Sequence, residues 1–397
     1  MIFVELSKKT SSIASSLTLA LTAKAAELRA QGEDVISFGV GEPDFNTPEN
    51  IIKAAIDAME SGKTKYTAVS GIVELKEAIV KKLKEDNELN YSKENIIIST
   101  GAKQCLANVF SAILNPEDEV IIPSPYWISY PELVKLADGV PVFVETAKEN
   151  GFKITKNDIK KVINKNTKAI IINSPNNPTG SVYSKEELEE IANIAKEYDL
   201  FIISDEIYEK LIYLDDCKHV SIASLSEDAF NRTIVINGFS KSYSMTGWRI
   251  GYAAGPEKVI KVMTNIQSHI TSNVNTIAQY AAWEALNGQQ DELKEMVATF
   301  KKRKEMMVRL LDEIKDVSYI EPTGAFYVFI DISEILRKYN IKDSLEFSKI
   351  LLEDKNVVVI PGVAFGLNDY IRLSYATSEE NIEQGVKRIK EFVNNLM

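Results

Sequence analysis

From about residue 50 to residue 290, short apolar runs alternate with stretches in which apolar residues recur every three or four positions. The runs "NIIIST" (95–100), "DEVIIPSP" (118–125), "KAIIINSP" (168–175), "LFIISDE" (200–206), "RTIVING" (232–238) and "WRIGYAAG" (248–255) are mostly rich in Ile and Val. Near-continuous apolar character predicts strands covered on both faces. Between them, "GAKQCLANVFSAIL" spaces Leu106, Val109, Phe110, Ile113 and Leu114 along one helical face. "SKEELEEIANIAKEY" opens with Ser184 and has Glu187 three residues later, the spacing of a capping box. Strand-helix alternation over this length implies an α/β fold, a mainly parallel mixed sheet with helices on both faces.

After residue 290 the rhythm changes. A long polar helix around 290–315 precedes "GAFYVFIDI", a helix near 343–353, "VVVIPG", "YIRLSYA" and a last helix from about 378. That order predicts a smaller α+β lobe. The first 45 or so residues are too few for a domain of their own and are expected to join this lobe. With 397 residues the chain exceeds what one core usually holds. The expected division is an N-terminal arm with part of the small domain (1–47), a large α/β domain (48–290) and the rest of the small domain (291–397).

Composition narrows the function. A net charge of -11 disfavours nucleic acid as a partner, because phosphate backbones are bound by clustered Lys and Arg. No apolar run has the length of a membrane helix, and the start lacks the pattern of a signal peptide. Cys105 and Cys217 give no disulfide framework, so a cytoplasmic location is expected. The two histidines, His219 and His269, are far apart in sequence. A His-based metal site and a Ser-His-Asp triad are therefore not expected.

In open α/β sheets, ligands bind beyond the carboxyl ends of the strands. Those ends carry Gly101-Ala102-Lys103, Tyr126-Trp127, the turn 176–180 with Asn177, Asp205 with Tyr208, and Ser240-Lys241. Each has a plain alternative. "STGAKQ" is equally a strand-to-helix turn, "NNPTG" a structural turn, Asp205 a helix cap, and Arg249 and Arg372 ordinary ion-pair arginines. Lys241 stands out, being the one charge between Arg232 and Arg249. ATP and dinucleotide loops are missing: "NGFSKS" is no Walker motif, and "GVGEPD" runs into Pro43.

Pyridoxal phosphate chemistry uses all these parts. A lysine in desolvated surroundings has the neutral amine that a Schiff base needs. A buried carboxylate such as Asp205 holds the proton on the pyridine nitrogen. Asn177 and Tyr208 are donors for the ring oxygen, a helix N-terminus with an arginine suits the phosphate, and Arg372 is a fork for an amino-acid carboxylate.

"SPNNPTG", "SDEIY" and "SKSYSMTGWRIGY", in this order and separation, resemble the class I aminotransferases, pyridoxal-phosphate enzymes of fold type I. The likeness runs over nearly the whole chain. "GEPDFNTPENI", "GKTKYTAVSGIVELKEAI", "PYWISYPE", "GAFYVF" and "IRLSYATSEENI" fit the bacterial and archaeal aspartate aminotransferases.

The resemblance implies that Lys241 carries the Schiff base and acts as the base at the substrate's α-carbon. Asp205 would pair with the pyridinium nitrogen, Asn177 and Tyr208 with the ring oxygen, and Trp127 would stack on the ring. The N–H groups of Ala102 and Lys103, with Arg249, would bind the phosphate. Tyr66 would reach the phosphate of a neighbouring subunit, which implies a homodimer with shared sites. Arg372 would clamp the substrate's α-carboxylate, helped by Gly41 and Asn177. The implied reaction is ping-pong transfer from aspartate to 2-oxoglutarate. Kin with other donors or acceptors (prephenate, aromatic or alanine), a β-lyase and a non-catalytic regulatory relative remain alternatives.

Two departures from the family pattern bear on this. The serine common three residues before the lysine is Gly238 here. The region "QSHITSNVNT" also lacks the arginine that animal and enteric relatives use for the distal carboxylate. In the subgroup resembled, a lysine at the Lys103 position does that work, with hydroxyls such as Ser16 and Thr18 nearby.

Overall fold

The structure, a computed structural model, describes residues 17–214 and 218–396 with residues 7 and 13, apart from the side chains of residues 17–22. Its strands in chain order are β1 (Ile36–Ser37), β2 (Ile96–Ser99), β3 (Glu119–Ser124), β4 (Val140–Glu145), β5 (Thr167–Asn173), β6 (Phe201–Asp205), β7 (Thr233–Gly238), β8 (Gly251–Ala254), β9 (Ser318–Tyr319), β10 (Tyr327–Asp331), β11 (Val357–Val358), β12 (Ile360–Pro361) and β13 (Tyr370–Ser374).

Seven of them form one sheet in the order β2-β8-β7-β6-β5-β3-β4. All pairings are parallel except those of β8, which runs antiparallel to both neighbours. The central strands β6 and β7 are buried almost throughout, which is why they read as apolar runs. The edge strand β4 was not among the expected strands. Its sequence, VPVFVE, is apolar but contains Pro141, which argues against a central strand, and of its six residues only Val144 is buried, as suits an edge.

Helices cover both faces of the sheet. Ala102–Ile113 buries Leu106, Val109, Phe110 and Ile113 as the spacing predicts. Lys185–Glu197 starts at the expected capping box, with Glu187 Oε2 accepting from Ser184 N–H at 2.7 Å and the Ser184 hydroxyl accepting in return. The run 248–255 yields a shorter strand than expected. Arg249 takes φ 52°, left-handed backbone that a strand cannot contain, so β8 begins only at Gly251.

The second sheet is antiparallel, in the order β12-β13-β10-β9. Helices Asp291–Leu311, Ser344–Lys355 and Glu379–Leu396 accompany it. Its core includes Phe326, Tyr327, Phe347, Leu373 and Tyr375. β1 pairs in parallel with β11, and Phe38 is bonded to both Val358 and Ser374 through its backbone. The segment after β1 therefore lies beside this second sheet and leads directly into the cavity described next.

Candidate active site

Beyond the carboxyl ends of the parallel strands lies a cavity of about 630 Å³. Ala102 and Lys103 reach it from the end of β2, Trp127 from β3, Asn177 from β5, Asp205 and Tyr208 from β6, and Lys241 and Arg249 from the segment after β7. Gly41, Tyr327 and Arg372 close it from the other side.

Lys241 donates through Nζ to the carbonyl oxygen of Gly41. The rings of Phe326 and Tyr208 flank it at 5.9 and 6.0 Å. Burial brings its ammonium down to about 8; Glu42 opposes that shift, while Arg372 and Arg249 add to it.

Asp205 is 4% exposed. Its Oδ2 accepts from the Tyr130 hydroxyl at 2.7 Å and its Oδ1 from Ile207 N–H at 3.3 Å. Burial pushes its carboxyl up to about 6 against those two bonds. No helix follows Asp205, so the capping alternative does not apply.

Arg372 sits on β13 and is 4% exposed. It donates to Asn177 Oδ1 at 3.0 Å and to the Gly39 carbonyl at 2.8 Å, but its Nε has no partner. No carboxylate pairs with it among the described residues, so the ion-pair alternative does not apply. Asn173 ties this end to Asp205. It donates to the Asp205 carbonyl at 2.9 Å and accepts from Asn177 N–H at 2.9 Å.

The opposite end of the cavity is built around Gly101 at φ 79°. No side chain caps the helix that begins at Ala102; the N–H groups of Gln104 and Cys105 go to the Gly101 carbonyl, and those of Ala102 and Lys103 remain open. A Cβ at Gly101 would come within 2.6 Å of Arg249 Nη2, which places that guanidinium across the helix mouth. Arg249 also donates to the Thr246 carbonyl at 2.8 Å. Gly238 packs so tightly on the backbone of Gly251 that a Cβ would lie 2.9 Å from its Cα, leaving no room for a serine. Lys103 Nζ lies 5.0 Å from the Trp127 ring, and burial, then Arg249, lowers its ammonium.

Tyr66 is not in the cavity. It is 90% exposed, in a surface hollow with Lys63 and Asn273. Ser16 and the side chain of Thr18 lie outside the described residues.

The sequence reading overlooked Tyr130, Asn173 and Tyr327, which touch the residues above. It also overlooked a charged network behind the turn 205–209. Glu206 accepts from the hydroxyls of Ser204 and Ser221 at 2.9 and 2.6 Å, and His219 Nε2 lies 2.9 Å from its other oxygen. Glu209 binds Lys82 and Asn87. Glu206, Glu209 and His219 are close enough together to share an ion, but Lys82 already neutralises Glu209.

The arrangement offers an anion seat at one end, a second guanidinium with an open donor at the other, and between them an amine and an uncompensated carboxyl. The family model for aminotransferase class I and II matches residues 33–389. An aspartate aminotransferase of Bacillus sp. strain YM-2 is 53% identical over 388 residues, covering 98% of this chain and 99% of that protein. A probable aspartate/prephenate aminotransferase of Aquifex aeolicus is 48% identical over 393 residues, covering 98% and 99%. Among solved structures, the aspartate aminotransferase of Thermus thermophilus with maleate superposes with a TM-score of 0.93 at 42% identity, covering 98% of this chain and all of that one. The fold expected from the resemblance is the fold observed.

Proposed function

Because the chain belongs to the class I and II aminotransferases, we propose that it moves the amino group of aspartate to 2-oxoglutarate, with pyridoxal phosphate as its resident cofactor. The observation that carries this reading is the meeting of the Lys241 amine, the Asp205 carboxyl and the open Nε of Arg372 in one cavity.

The residues fit the cofactor. The uncapped helix at Ala102 and the Arg249 guanidinium suit a phosphate. Asp205, buried without a bonded cation, suits a protonated ring nitrogen. Asn177 and Tyr208 would donate to the ring oxygen, and Trp127 would lie against the ring. When bound, the cofactor supplies an electron sink for the bonds of the substrate's α-carbon.

The protein's own residues supply the rest. With its ammonium brought down to about 8, Lys241 holds roughly a tenth of its amine neutral at pH 7. That amine takes the covalent attachment and, once displaced by substrate, carries the proton from the α-carbon. Arg372 meets the α-carboxylate, with Asn177 and Gly41 beside it, and its two existing bonds hold the fork in place. Lys103 meets the distal carboxylate. One keto acid leaves before the next enters, giving ping-pong exchange.

Tyr66 is exposed and lies outside the cavity of its own chain, which supports a role at the phosphate of a second copy and hence a homodimer. The pairing of β1 with β11 supports the division into 1–47, 48–290 and 291–397. Among the described residues no helix is long and apolar enough to cross a membrane. We place the enzyme in the cytoplasm.

A donor panel tests the reading. With 2-oxoglutarate as acceptor, aspartate should outrank phenylalanine, alanine and cystathionine; aspartate among the poor donors would overturn the specificity. Prephenate belongs in the acceptor panel because the Aquifex aeolicus relative is named for both substrates. Borohydride should fix the cofactor to the parent protein but not to Lys241→Ala. A colourless protein that takes up no pyridoxal phosphate would sink the proposal.

A further inference from the structure

Tyr327 begins β10 and is fully buried, with its hydroxyl 2.9 Å from that of Tyr208. The two rings meet edge-on at 84°, their centroids 5.8 Å apart. The guanidinium of Arg372, from the neighbouring strand β13, lies over the Tyr327 ring at 4.4 Å. Gly41 closes another side: a Cβ there would stand 3.1 Å from the Tyr327 hydroxyl.

Two hydroxyls carry two protons, and the bond between them uses one. Both tyrosines line the cavity, and Tyr208 is the one that the aminotransferase reading sets against the ring oxygen of the cofactor, which would accept its proton. Tyr327 has Tyr208 as its one hydrogen-bond partner among the described residues. Arg372 lies closer over the Tyr327 ring, at 4.4 Å, than Lys241 does over the Tyr208 ring, at 6.0 Å, and draws more charge from the Tyr327 hydroxyl. Either hydroxyl can donate to the other.

We infer that Tyr327 is a positioning residue: its hydroxyl donates to Tyr208 and so commits the Tyr208 proton to the cavity and to the ring oxygen of the cofactor. The inference rests on the aminotransferase reading above. Donors in series strengthen one another, so Tyr208 gives a stronger hydrogen bond with Tyr327 behind it. That bond stabilises negative charge on the ring oxygen. Lys241 Nζ, once attached to the cofactor, would then give up its proton at lower pH.

The test is a pH titration of the visible absorption of the cofactor-loaded protein, in the parent, Tyr327→Phe, Tyr208→Phe and the double variant. Tyr327→Phe should raise the midpoint by roughly half a pH unit. Tyr208→Phe should raise it further, and the double variant should match Tyr208→Phe, because the Tyr327 hydroxyl acts only through Tyr208. An unmoved midpoint in Tyr327→Phe, or a double variant whose shift is the sum of the two, overturns the inference. A residue that merely held Arg372 in place would raise the KM for aspartate and leave the midpoint where it was. Unfolding of the cofactor-free chains provides a separate readout. If Tyr327→Phe cannot fold well enough to take up cofactor, Tyr327 is structural and the inference falls. A parent protein that takes up no cofactor would instead overturn the reading beneath it.

Discussion

Asp205 and Glu209 leave the same strand end, both buried, yet their carboxyls are driven in opposite directions. Burial pushes Asp205 up to about 6, against the bonds from Tyr130 and Ile207. Burial also acts on Glu209, but Lys82, His219 and Lys210 outweigh it and bring that carboxyl down to about 2. Glu209 is bonded to Lys82 and Asn87 in a closed network. Asp205 faces a cavity and has no bonded cation among the described residues. A buried charge that the chain compensates holds the structure together; one left uncompensated beside a cavity awaits a ligand. A protonated ring nitrogen would do for Asp205 what Lys82 does for Glu209.

The largest expected effect breaks the comparison on the cavity side. Asp205→Asn should lower kcat by about 10³-fold, because no charge then faces the ring nitrogen. Its effect on stability should have the opposite sign. A carboxyl raised in the fold binds its proton more tightly when folded, so its burial costs stability as pH climbs from about 4 to about 6. Over that window the cofactor-free Asp205→Asn protein should gain on the parent and keep the gain above it. Denaturant unfolding at several pH values reads this directly; a variant less stable than its parent at neutral pH would contradict it.

Next comes the compensated side. Lys82→Met strands Glu209 without its cation and should cost about 3–5 kcal/mol in urea unfolding. The cofactor absorption of the surviving folded protein should be unchanged. In the parent, the contribution of Glu209 is present above the ordinary glutamate pKa and fades as pH falls toward 2. Lys82→Met should flatten that acid dependence. A variant with parental stability and an altered absorption would reverse the two roles.

Smaller effects sharpen the picture at the far end of the cavity. Lys103→Ser should reduce kcat/KM for aspartate by about 10-fold, the loss expected of one partly exposed charge contact, and leave alanine nearly untouched. Equal losses would remove Lys103 from the distal carboxylate. The mildest prediction concerns Lys241 alone: cofactor uptake by the cofactor-free protein should speed up with pH through a midpoint near 8, as the amine loses its proton.

Much of this was legible in the sequence. The central strands and the helix Ala102–Ile113 follow from their apolar periodicity, and Lys241 from the lack of other charges around it. Tyr130 and Tyr327 were not legible. Tyr327 lies within the apolar run GAFYVFI, where a tyrosine reads as core, and Tyr130 stands between Ser129 and Pro131, where no charge marks it. Their partners, Asp205 and Tyr208, are brought to them only by the folded sheet. The network behind Asp205 was hidden for another reason: in "SDEIYEK" three acids look alike until the turn sends Asp205 to the cavity and Glu206 and Glu209 away from it. Tyr66 looks idle in one chain because its proposed partner belongs to another copy.

The hydrogen-bonded line from Asp205 through Asn173 and Asn177 to Arg372 also bears on how such a chain can diversify. Two of its links run through the main chain, at the Asp205 carbonyl and the Asn177 N–H, so a change of side chain at Asn173, Asn177 or Arg372 breaks the line while one at Asp205 leaves it intact. Trp127 also reaches Asp205, through Tyr130, which it meets edge-on at 5.3 Å and which donates to Asp205 Oδ2; Lys103 stands one contact further out, 5.0 Å over the Trp127 ring. A lineage acquiring new side-chain preferences can vary Lys103 with the least disturbance of Asp205, while a change at Asn173 or Arg372 spreads along the line.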